Sequence, residues 1–143
     1  MRTIRGSLVV LLFYSLVVFV SPDFAQGNNS GFVLPPDPGK AGKVTLLGID
    51  TDGDGVRDDI QRYIYLTYPD DKKLRLGLTY YAIEFQGVLK DANDREAAYD
   101  HANKMARHGE CLFYLKGRES IDICRALRAK ILNTRERSIA YIK

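Results

Sequence analysis

The chain predicts a mostly α fold, a small four-helix domain preceded by an acidic loop that no helix enters. Three observations carry that reading. Beyond residue 60 apolar side chains recur at steps of three and four, and no stretch shows the strict alternation of a half-buried strand. Polar or glycine breaks near residues 68–71, 91–94 and 117 cut this periodic region into four. Ahead of it, residues 44–49 are glycine-containing and β-branched, with no helical period.

The N-terminal end reads as an export signal over residues 1–25. Arg2 and Arg5 form a basic start, Leu8 to Val20 is apolar apart from Ser15, and Ala25 is the expected last residue before cleavage. Asp23 departs from the small neutral residue usual three before a cut. Thirteen residues at about 1.5 Å each span roughly 20 Å, short of the roughly 30 Å hydrocarbon core. No stable membrane span is therefore expected after cleavage, and the expected location is secreted or periplasmic. Removing 25 of the 143 residues leaves 118, enough for one domain. Residues 26–43 hold Gly27, Gly31, Pro35, Pro36, Pro38, Gly39 and Gly42 and read as a flexible linker, leaving 44–143 as loop and helical domain.

The first helix follows from Ile60, Tyr63, Ile64 and Thr67, which share one helical face. Pro69 disfavours helical geometry at Tyr68 and stops it there. Asp70 or Asp71 caps a second helix with a buried stripe of Leu74, Leu78, Tyr81, Phe85 and Val88. Leu76, Tyr80 and Ile83 widen that stripe, so this helix is expected at the centre. A third runs from Arg95 to Leu115 with Ala98, Ala102, Met105 and Leu112 on one face, and Gly117 ends it. Ser120 is expected to cap a fourth, which bears Cys124, Leu127 and Ile131 and continues to the C-terminus. Tyr65 and Tyr68 are the expected exposed contact residues.

Residues 50–59 read Asp-Thr-Asp-Gly-Asp-Gly-Val-Arg-Asp-Asp. Asp50, Asp52 and Asp54 alternate ahead of Gly55, a spacing that turns oxygen ligands into the mouth of a tight loop. Five aspartates within ten residues repel one another, and a cation relieves that repulsion. The competing reading is a glycine-rich surface turn in which Asp58 and Asp59 only favour the helix start. The fragment resembles the Asp-x-Asp-x-Asp-Gly calcium loops of EF-hand, dockerin and thrombospondin type 3 modules over about a dozen residues. That resemblance implies Ca2+ as the cofactor, held by Asp50, Asp52 and Asp54, the Val56 carbonyl, and Asp58 directly or through water. An EF-hand closes with a bidentate glutamate at the twelfth position, where this chain has Gln61; Asp59 is the closing ligand if the loop is shorter. Arg57 occupies the eighth position, which is hydrophobic where two loops pair. The expectation is an EF-hand-like, solitary, structural site without an entering helix.

Cys111 lies six residues before Gly117 and Cys124 seven after it. In two antiparallel helices the sulfurs then lie level, about 9–10 Å from the turn, and a disulfide is expected. It would stabilise the fold by about 3 kcal/mol. His101 and His108 are about 10.5 Å apart along one helix, too far to share a metal ion. Either could serve as a base with Asp100 or Glu110.

The net charge of +3 conceals an uneven distribution, because residues 104–143 hold ten basic and four acidic side chains. No Gly-x-Ser-x-Gly, His-Glu-x-x-His, Walker-type or Cys-x-x-Cys motif occurs. The expected function is a non-enzymatic exported module that binds calcium and a protein or cell-envelope partner; nucleic acid is not an expected partner. The alternatives are a small calcium-dependent hydrolase using His101 or His108, and an anionic-polymer or lipid binder using the basic half.

Overall fold

The computed structural model describes residues 33–143; the expected export signal and residues 26–32 of the linker lie outside the described residues. A single 3-10 turn, Ala41–Lys43, precedes five helices: α1 (Asp58–Thr67), α2 (Lys72–Lys90), α3 (Arg95–Lys116), α4 (Glu119–Ile131) and α5 (Arg135–Tyr141). No strand occurs among the described residues. The mostly α class holds, with one helix more than expected.

Helix ends follow local chemistry. Pro69 ends α1 as expected, with Tyr68 leaving helical geometry at φ −125°, ψ 58°. Asp71, rather than Asp70, caps α2 by accepting the Leu74 N–H at 2.9 Å. Asp94 caps α3 by accepting from Glu96 and Ala97. Gly117 closes it at φ 57°, ψ −139°, a backbone conformation that a β-carbon strains. Ser120 does not cap α4: it lies inside the first turn, donating its hydroxyl back to the Gly117 carbonyl at 2.7 Å. Nor does α4 reach the C-terminus. It stops at Leu132, and Thr134 starts α5 by accepting the Arg137 N–H.

α2 packs against all four other helices. Its expected stripe of Leu74, Leu78, Tyr81, Phe85 and Val88 is buried. Ile60 and Ile64 meet it from α1, Ile123, Leu127 and Ile131 from α4, and Ala140 from α5. The expected widening of the stripe holds only at Ile83, which packs against the core; Leu76 is 58% exposed and Tyr80 49% exposed, the latter against the His108 ring of α3. α3 contributes one buried residue, Leu112; Ala98, Ala102 and Met105 are only half-buried. Tyr65 and Tyr68 are half-buried too, with the Arg75 guanidinium 4.9 Å from the Tyr65 ring, so neither is the open contact residue expected.

Residues 33–43 pack on the domain and are not a tether. Pro35 is buried and its carbonyl accepts from Arg62 at 2.8 Å. Gly42 is buried and its carbonyl accepts from Arg137 at 2.7 Å. Proline fixes backbone geometry in advance, so Pro35, Pro36 and Pro38 lower the cost of ordering a segment whose carbonyls two arginines grip.

Candidate metal centre

The loop ahead of α1 is shaped by its own carboxylates. Asp50 accepts the Gly53 N–H at 2.8 Å on one oxygen and the Gly55 N–H at 3.0 Å on the other. Asp54 accepts the Val56 N–H at 2.8 Å, and Asp52 the Asp54 N–H at 3.3 Å. Gly53 and Gly55 take φ of 71° and 89°, which lets the chain turn back on itself twice. One oxygen from each of Asp50, Asp52 and Asp54 then lies within 4.8 Å of the other two, open to solvent.

Gln61 stands behind this triad. It is 2% exposed, and its Nε2 donates to Asp52 Oδ2 at 3.0 Å and to Asp54 Oδ2 at 2.8 Å. Its Oε1 is the one buried side-chain oxygen or nitrogen without a hydrogen-bond partner among the described residues. Such an orphan costs about 1–3 kcal/mol, so the arrangement needs a reason. A primary amide carries donors on one branch and an acceptor on the other, and half a turn exchanges them. The same side chain can therefore serve the triad with hydrogens or with an oxygen.

The electrostatics divide the triad. The Gln61 N–H holds the Asp52 carboxyl below the usual range. Burial raises the Asp54 carboxyl, and the charges of Asp52, Asp50 and Asp58 raise it further, against the Val56 N–H.

Asp58 and Asp59 do not join the cluster. Asp58 is 1% exposed and spends both oxygens on Thr51, one on its N–H at 2.8 Å and one on its hydroxyl at 2.6 Å. Asp59 receives Arg57 Nε at 2.8 Å and Nη2 at 2.9 Å, and Asn133 at 3.3 Å. Val56 is buried in the core, which anchors the seventh loop position.

Arg57 is the residue that sequence reasoning undervalued. It is 1% exposed and donates to the carbonyls of Ile131 and Lys130 at the end of α4 as well as to Asp59. Arg137, fully buried in α5, donates to the carbonyls of Gly42, Thr45 and Leu46. Gly48, at φ 71°, leaves room between them: a β-carbon there would collide with Arg57 Cδ. An arginine where paired loops carry an apolar residue was the available signal.

His101 is held from both sides, Nδ1 by Glu84 at 2.6 Å and Nε2 by Asp91 at 3.3 Å. The expected partners differ: Asp100 pairs with Lys104, and His108 stacks on Tyr80 at 5.6 Å between ring centres. A groove of about 500 Å³ joins the loop to His101, with Asp50 and Gly55 at one end and Gly87 and His101 at the other. His108 does not line it.

The expected disulfide is corrected. Cys111 and Cys124 are free, the first exposed and the second half-buried. Level sulfurs are only half of the requirement. Leu112 is the residue of α3 that faces the core, and successive helical residues diverge by about 100°, so Cys111 projects elsewhere. Burial pushes the Cys124 thiol up.

No protein-family model, curated protein or solved structure matches this chain. The functional reading therefore rests on these residues.

Proposed function

We propose that this protein is an exported, non-enzymatic helical module that holds one structural calcium ion in its aspartate loop and binds a protein or cell-envelope partner. The observation that carries the calcium reading is Gln61, whose buried Oε1 lacks a partner while its Nε2 donates to two of three converging carboxylates. In the proposed set, Asp50, Asp52 and Asp54 supply three charges, Gln61 Oε1 a neutral oxygen after the amide turns, and the Val56 carbonyl a further oxygen. Asp58, through water, and Asp59 are supports rather than principal ligands, since Thr51 and Arg57 engage their oxygens. All-oxygen donors on a loop favour calcium, which tolerates irregular coordination, over magnesium.

Without a bidentate carboxylate the affinity belongs to the weak class of extracellular modules, about 10⁻⁴–10⁻³ M. Calcium at about tenfold its dissociation constant stabilises the fold by roughly 1.4 kcal/mol. The export reading draws on the basic start and the Leu8–Val20 run. Calorimetric titration of calcium, with melting in calcium and in chelator, tests the site. The wild type takes up one ion, Gln61→Leu binds at least several-fold more weakly, and Gln61→Glu binds about tenfold more tightly. No calcium uptake, with melting indifferent to chelator, overturns the reading.

A second reading draws on the groove that runs from Asp50 to His101: a calcium-dependent hydrolase with His101 as proton carrier. It predicts calcium-dependent turnover that falls at least about 100-fold in His101→Gln with melting unchanged. If His101 instead ties α2 to α3 through Glu84 and Asp91, that variant melts lower and no turnover exists to lose.

A further inference from the structure

A second groove, of about 510 Å³, opens between α3 and α4, away from the aspartate loop. That volume falls within the roughly 300–1,000 Å³ of small-molecule sites. Its walls follow from how little of α3 enters the core. Only Leu112 of this 22-residue helix is buried, so the face toward α4 is left as a trough of Met105, Gly109 and Phe113. α4 answers with Ile121 and Cys124. Phe113 and Ile121 stand on opposite walls, each 52% exposed, although both are large and apolar. Gly109 keeps the trough open, since a β-carbon there would meet only the edge of the Tyr81 ring at 4.0 Å.

The polar end of the groove has one sign. Arg125 and Arg128 line it and no acidic side chain does. Arg125 is paired with Asp122. Arg128 has no carboxylate partner among the described residues; its guanidinium sits 5.9 Å from the centre of the Tyr141 ring, at the exposed surface of α4. A guanidinium set against a ring face and without a carboxylate partner keeps its N–H groups in a fork that suits a carboxylate.

We infer that the α3–α4 groove binds a single-chain fatty carboxylate, its tail between Phe113 and Ile121 and its carboxylate on Arg128. The charge complementarity of one unpaired arginine at the end of an apolar trough selects this occupant over a neutral or cationic one. The size of the groove selects a single chain over a protein helix. This inference is independent of the calcium site and stands or falls without it.

Calorimetric titration of the full chain with sodium dodecanoate below its micellar concentration tests it. The expected result is saturable uptake of one molecule, roughly fifteenfold weaker for decanoate, which lacks two methylenes that each contribute about fourfold when buried. Dodecanol and dodecyltrimethylammonium bind at least tenfold more weakly. Gly109→Leu, which fills the trough and favours the helix, abolishes uptake; Arg128→Gln lowers affinity at least tenfold, with helix content unchanged in both. Dodecanoate also slows the reaction of Cys124, but not of Cys111, with a maleimide. Absence of saturable uptake, equal binding of the cationic chain, or uptake that survives both substitutions overturns the proposal.

Discussion

At Asp54, burial and the charges of Asp52, Asp50 and Asp58 favour the protonated carboxyl, with the Val56 N–H opposing them. A carboxyl that holds its proton more tightly in the folded chain adds stability below the unfolded value. That stability is lost as the pH rises through the folded value. Removing the charge should therefore help at neutral pH and not in acid. Asp54→Asn is expected to raise the melting temperature of the calcium-free protein by a few degrees at pH 7 and leave it unchanged at pH 3, as read by circular dichroism in chelator. A lower melting temperature at pH 7 would contradict the strain described at this carboxyl. The spacing of Asp50, Asp52 and Asp54 was legible in the sequence because ligand geometry within one short loop is local. The fates of Asp58 and Asp59 were not: Thr51 and Arg57 compete for their oxygens, and which way Arg57 turns depends on the α4 carbonyls more than 70 residues away.

Arg57 and Arg137 join elements that sequence separation keeps apart. Arg57 connects the loop to the end of α4, where carbonyls without helical partners form the negative pole of the helix. Asp59 is 25% exposed and stays partly solvated without its partner, so the loss at Arg57 comes chiefly from α4 carbonyls left without a donor, at about 1–3 kcal/mol. Arg57→Ala is expected to destabilise the protein by that amount in urea unfolding, and Asp59→Asn, which keeps an acceptor oxygen, by markedly less. Equal effects would mean that Arg57 acts through charge alone and not through the α4 carbonyls. The α2–α3 contact depends on shape. Gly87 faces the His101 ring so closely that a β-carbon would collide with it. Gly87→Ala is expected to cost about 1–3 kcal/mol despite the better helix propensity of alanine; a gain in stability would show that α3 can move away freely.

For the molecule as a whole, the two thiols decide whether a covalent bridge helps hold the fold. Both are free, and the described domain is held by the α2-centred core and the two buried arginines. Adding reductant is expected to leave the melting temperature unchanged. Cys111 should react with a thiol reagent well before Cys124; a bridged peptide in a non-reducing digest would contradict both statements. The helical class, the α2 stripe, the stops at Pro69 and Gly117 and the convergence of three aspartates were all determined by the sequence itself. Each depends on residues within a few turns of one another, where helical period, capping and backbone sterics act. Only the tertiary structure decided that α4 breaks before α5, that residues 33–43 dock, that Leu76 and Tyr80 face solvent, and that the cysteines stay apart. Those outcomes depend on the direction a side chain takes around its helix and on carbonyls offered from distant segments, and neither is encoded in spacing along the chain.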